Sequence, residues 1–133
     1  MKKAVYIISK VIVSLMLASS LLGLLGVFPA PTRDLYNTDE AFQFIDMLMK
    51  NAVYINVMMT IVNITAVIAM WTKRDALAAL LITPITANII GFHMFLDGGL
   101  FTAGAIMANV LLVINIYLLW VNREAYRGLV CGK

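Results

Sequence analysis

Charge is scarce in this chain. Only 13% of its 133 residues are Asp, Glu, Lys or Arg, about half of what a soluble domain carries. There is one cysteine, Cys131, and one histidine, His93. A single cysteine excludes an intrachain disulfide and any Cys-x-x-Cys thiol–disulfide chemistry. Cys131 reads as an inert tail thiol, with palmitoylation as the alternative. One histidine without a buried cysteine cannot complete a zinc site. Nor can one chain supply bis-histidine haem, although a homodimer would bring a second His93. No metal ligands and no intrinsic cofactor are therefore expected. The sequence has no phosphate-binding loop, no Ser-His-Asp order and no paired catalytic carboxylates. No catalytic residue is assigned, and the chain is not expected to be an enzyme on its own. Its basic residues do not interleave with aromatics, so nucleic acid is not an expected partner, although the pI is about 9.2.

Apolar residues are what the chain has in abundance. They make up 62% of it, and the mean hydropathy is +0.93. The class is integral membrane protein, with the lipid bilayer as its first partner. Four apolar runs cover about residues 4–28, 52–71, 76–96 and 101–121. Each has roughly the twenty residues needed to cross about 30 Å of hydrocarbon. They follow one another too closely for a separate soluble core, so residues 1–133 are expected to form one transmembrane domain. The expected fold is all-α, an integral membrane four-helix bundle.

Lys2 and Lys3 precede the first run as in a signal peptide. That run is too long for a typical h-region and contains Lys10, so an uncleaved span is expected. Pro29-Ala30-Pro31 is expected to stop it. Thr38, followed by Asp39 and Glu40, marks a helix start, and Phe42, Ile45, Leu48 and Met49 keep helical spacing. This predicts a short interfacial helix in the first outer loop, or the first turns of span two. Thr72 to Asp75 forms a polar turn, Asp97-Gly98-Gly99 breaks span three, and a polar tail follows from Asn122.

An even number of spans places both termini on one side. That side holds Lys2, Lys3, Lys10, Lys73, Arg74, Arg123, Arg127 and Lys133, leaving only Arg33 and Lys50 opposite. The positive-inside rule then puts both termini in the cytoplasm, as expected for a multi-pass protein of the bacterial inner membrane. Asp34, Asp39, Glu40, Asp46 and Asp97 face out. Trp71 and Trp120 fall near the inner ends, where interfacial belts occur.

Polar groups within hydrocarbon need protein partners or an aqueous cavity. Ser19, Gly23 and Gly26, with Ser20 beside them, give span one a small-residue face for close packing. Lys10 either snorkels to the headgroups or meets an anionic lipid, a head group or an acidic residue of a partner. Asn56, Thr60 and Asn63 share one face of span two, and Asn88, Asn109 and Asn115 are available on the next two spans. A polar seam is expected among them, as interhelical glue or as the lining of a cavity. In span three, Pro84 frees a backbone carbonyl near Leu80, which Thr83 and Asn88 can cover. His93 and Asp97 stand at i, i+4, so an imidazole–carboxylate contact is expected near the outer surface. The candidate ligand-binding residues are His93, Asp97, Asn88, Asn63 and Asn109.

The stretch from Pro84 to Asp97 (Pro-Ile-Thr-Ala-Asn-Ile-Ile-Gly-Phe-His-Met-Phe-Leu-Asp) resembles the DoxX family of small four-helix membrane proteins. The resemblance lies in the proline, the asparagine and the Phe-His-x-Phe-Leu-Asp pattern, and as architecture it extends over all four spans and the first outer loop. An arginine frequent near the start of span one in that family is absent here, with Lys10 and Gly23 the nearest counterparts. The resemblance implies a subunit of, or partner to, a membrane redox complex, with quinone as a contacted cofactor. Two other readings come from the residues themselves. One is a non-catalytic scaffold that recruits partner proteins through residues 32–50. The other is an oligomeric small-molecule transporter, although no ring of mid-membrane charge is present. A protein partner or a homo-oligomer is expected in each case.

Overall fold

The computed structural model describes residues 2–130; Cys131 and Lys133 lie outside the described residues. The helices are α1 (Lys2–Leu24), α2 (Asp39–Lys50), α3 (Val53–Trp71), α4 (Asp75–Phe95), α5 (Ile106–Val121) and α6 (Arg123–Val130). Short 3-10 turns occur at Arg33–Leu35 and Ala103–Ala105, and no strand occurs among the described residues. Four segments are long and apolar enough to cross a membrane: Lys3–Leu24, Val53–Trp71, Asp75–Phe95 and Ala103–Val121.

These four helices form an up-and-down bundle. α3 packs on both α1 and α4, α4 packs on α5, and α5 makes a slighter contact back to α1. The start of α1, the turn after α3, the end of α5 and α6 therefore share one end, here the terminal end. The connection after α1, α2 and residues 96–105 share the other, the loop end. The core is built on small residues, with Ala66, Ala69, Ala78, Ala79 and Ala108 between the helices. Small side chains let helix backbones approach closely when lipid competes for every apolar surface. Val13, Leu17, Met70, Ile82, Leu111 and Leu118 fill the remaining space. Ile8, Ile61, Val113 and Ile116 point outward and are exposed. Leaving each in water rather than in an apolar medium costs about 1.5–3 kcal/mol, so the outer surface is suited to lipid.

The helix ends differ from expectation at the end of α1 and after Asn122, while α2 takes the separate-helix form of the two that were expected. α1 ends at Leu24, short of the expected residue 28. Gly26 has a left-handed φ of +71°. The Val27 N–H bonds the Leu22 carbonyl at 3.0 Å and the Gly26 N–H bonds that of Gly23 at 3.1 Å. This paired cap ends the helix before Pro29 is reached. α2 is a separate helix: the Thr38 hydroxyl caps it by accepting the Ala41 N–H at 3.1 Å, and the chain breaks at Ala52 before α3. The segment after Asn122 is helical as α6, where the Tyr126 hydroxyl donates to the Ala76 carbonyl at 3.0 Å.

Two contacts brace the interior. α4 continues through Pro84. One turn below, the Ala79 carbonyl accepts the Thr83 hydroxyl at 2.8 Å and Asn115 Nδ2 at 3.0 Å. The side chains serving this turn are thus Thr83 and Asn115, and Asn88 is not among them. Near the terminal end, Lys10 Nζ lies 2.8 Å from Asp75 Oδ1 and 5.1 Å from the centre of the Trp71 ring. Asp75 Oδ1 is close enough for an ion pair but lies off the direction of a hydrogen bond. Lys10 thus meets an acid of its own chain.

Candidate intramembrane binding site

A cavity of about 570 Å³ lies between α1, α3, α4 and α5 toward the loop end. Its apolar lining includes Leu15, Met16, Met59, Ile85, Ile89, Met107 and Leu111. Its polar lining is Ser19, Ser20, Asn63 and His93. A smaller cavity of about 320 Å³ shares Ser20, Met59 and Asn63 with it.

His93 sits in the last turn of α4, and Asp97 follows the helix end. Nδ1 of His93 is 3.0 Å from Oδ2 of Asp97. Asp97 is only 2% exposed, so its other oxygen needs a donor. The Asn37 backbone N–H supplies one to Oδ1 at 2.8 Å, and Asn37 Nδ2 bonds the Asp97 carbonyl at 3.1 Å. The Thr38 hydroxyl donates to the Leu96 carbonyl. Gly98 permits this approach. It has φ +82°, and a Cβ there would fall 3.3 Å from Asn37 Cβ. Asp97 is thus the centre of a clasp that holds the first long connection against the end of α4.

Aromatic rings pack beside the clasp. Phe92 meets the His93 ring edge-on at 5.2 Å, Tyr36 meets Phe92 at 6.4 Å, and Phe44 meets Phe92 at 6.0 Å. Burial and the nearby Asp97 carboxylate raise the Tyr36 phenol above the ordinary tyrosine value, so it stays a neutral packing group. Gly104 closes the other side, where a Cβ would stand 3.4 Å from Asp97 Oδ2 and 3.7 Å from His93 Cε1.

The five residues singled out in the sequence do not all meet. His93 and Asp97 are paired, and Asn63 lines the same cavity as His93. Asn88 is exposed on the far side of α4, on grooves shared with Pro84 and Phe92. Asn109 donates to the Leu100 carbonyl at 2.7 Å and borders a separate hollow with Ile106 and Val113. The expected seam of asparagines is replaced by separate bonds. Asn56 holds the Leu48 carbonyl at 3.2 Å, Asn63 holds Ser20 Oγ at 3.0 Å, and Asn115 holds Ala79. Leu48 lies in the last turn of α2, where a carbonyl has no intrahelical donor, so the Asn56 amide removes a desolvation penalty there.

Sequence reasoning missed Asn37, Thr38 and Gly104 as parts of the site. Thr38 was visible as a helix cap, but its second bond, to Leu96, depends on where α4 ends. Among the described residues no three His, Cys, Asp or Glu side chains cluster as metal ligands. No family model, curated protein or solved structure matches the chain.

Proposed function

We propose that the chain is a DoxX-like, multi-pass protein of the bacterial inner membrane with both termini in the cytoplasm. In this reading it holds the polar end of a lipid-phase molecule, of which a quinone is the type, against His93. It does so as a subunit of, or partner to, a membrane redox complex. One observation carries the reading: the apolar cavity of about 570 Å³ has at its polar end an imidazole aligned by a buried carboxylate. An aligned imidazole in an apolar lining is the arrangement that orients a ligand by one polar atom. The Pro84–Asp97 pattern and the concentration of basic residues at the terminal end support the family and the orientation.

Mass spectrometry of lipid extracts tests it. Protein purified in mild detergent is expected to carry quinone, and His93→Ala to retain at least tenfold less. Full retention by the variant would remove His93 from the site, and an extract free of quinone would remove the ligand class.

A scaffold role is the second reading, favoured by Phe44, Met47 and Met49, which α2 leaves exposed. It predicts a partner in mild-detergent pull-down that is lost with Phe44→Ser. Unchanged recovery of every partner would sink it.

A further inference from the structure

We infer that the cavity takes a head group that donates a hydrogen bond: a hydroxyl on an apolar body, phenolic or alcoholic. The inference rests on reading the cavity as a binding site, and adds which head group it accepts.

The protons of the polar lining are almost all spent. The Ser19 hydroxyl donates to the Met16 carbonyl at 2.6 Å, and that of Ser20 to the Leu17 carbonyl at 2.7 Å. A hydroxyl has one proton, so both serines show only lone pairs to the cavity. Ser20 Oγ in turn lies 3.0 Å from Asn63 Nδ2. With its proton on Leu17, Ser20 cannot donate to an amide oxygen, so the amide must turn its nitrogen toward Ser20 and its oxygen away. That oxygen, Asn63 Oδ1, meets no donor, but it has no surface open to the cavity, so the acceptors a guest can reach on this side are the two serine oxygens. The leftover proton on this side is the second one on Asn63 Nδ2.

In its neutral form His93 adds a further acceptor. Its Nδ1 faces a carboxylate oxygen 3.0 Å away. A carboxylate cannot donate, so in the neutral ring Nδ1 carries the proton and Nε2 keeps its lone pair. The Asn37 N–H on the other Asp97 oxygen holds the carboxylate in place, which fixes the ring orientation. A carbonyl or ether head group would set lone pair against lone pair here, so of the quinone class the form this site takes is the reduced hydroquinone, which a lipid extract would yield as quinone after oxidation in air. A hydroxyl supplies the missing proton.

The test uses the full chain in lipid nanodiscs and equilibrium dialysis of three matched probes: a para-alkylphenol, its methyl ether and a straight-chain alcohol of similar length. The phenol or the alcohol is expected to bind about tenfold more tightly than the ether, a gap of about 1.4 kcal/mol. Which of the two binds better identifies the kind of hydroxyl. His93→Phe is expected to narrow the gap. Ser20→Ala, checked for a normal elution profile, gives the same readout if His93→Phe fails to fold. Gly104→Leu fills the cavity beside His93 and is expected to abolish binding of every probe. Equal binding of phenol and ether, lost in both cases with Gly104→Leu, would overturn the hydroxyl inference and leave the binding site standing. Absence of binding by all three, or binding untouched by Gly104→Leu, would overturn both.

Discussion

Lys10 and Asp75 form an ion pair whose side chains are 12% and 21% exposed. Removing one partner from such a pair leaves a charge in a poorly solvated place, which costs more than the pair contributes. Lys10→Met is expected to lower stability by about 2 kcal/mol, discounted from the fully buried case. Lys10→Met combined with Asp75→Leu should recover much of that loss, as read by unfolding titrations in detergent. Thr86 is the opposite case. Its side chain is 1% exposed, and its hydroxyl oxygen is buried without a partner. Thr86→Val keeps the shape and removes the unsatisfied group, so stability should rise by roughly 1 kcal/mol. A loss of that size in the same titration would show that the hydroxyl is satisfied. Contacts of this kind were only partly legible in the sequence. His93 and Asp97 were, because helix geometry alone brings i and i+4 together. The Lys10–Asp75 and Ser20–Asn63 pairs were not, because each joins different helices and depends on which helices face one another.

The four long helices were legible because each needs only length and apolar content. Their ends were less so. Pro29 and Pro31 are the stop that the sequence offers for α1, yet Gly26 reaches the left-handed conformation first and caps the helix. α6 looked like an irregular tail because no long apolar stripe marks it. It is short, polar and anchored by Tyr126 on the start of α4. The turn between α3 and α4 hides a strained residue. Lys73 adopts φ +63°, and the Arg74 N–H bonds the Ala69 carbonyl at 2.9 Å, the same cap that glycine normally completes. A side chain in that conformation costs about 1 kcal/mol. Lys73→Gly should therefore leave the turn intact and raise stability by about 0.5–1 kcal/mol, less whatever glycine costs by loosening the unfolded chain. Thermal unfolding in detergent would measure it, and a lower midpoint would mean that the lysine makes a contact that matters more than its strain.

At the scale of the molecule, the Asp97 clasp ties the connection after α1 to the connection after α4. Asp97→Ala removes both acceptors that hold Asn37 and His93 and leaves donors unpaired, a loss of about 2–3 kcal/mol. Residues 32–38 should then be released, and trypsin should cut after Arg33 faster than in the parent protein while the helices stay intact. Equal cutting rates would show that the Thr38–Leu96 bond and the aromatic packing suffice. This joining of two loops is the part least visible in the sequence, since it brings together residues 60 positions apart. The bundle also closes unevenly, with α1 resting on α3 along its length and touching α5 only slightly, beside the cavity that Leu15, Met107 and Leu111 line. Under the proposed binding role, a guest entering by that thin seam would come sideways out of the hydrocarbon. Its occupancy then follows its mole fraction in the bilayer. Two compounds with equal contacts in the cavity would show different apparent affinities in proportion to their partition coefficients, and diluting a sample with empty lipid would strip the site as effectively as lowering the dose.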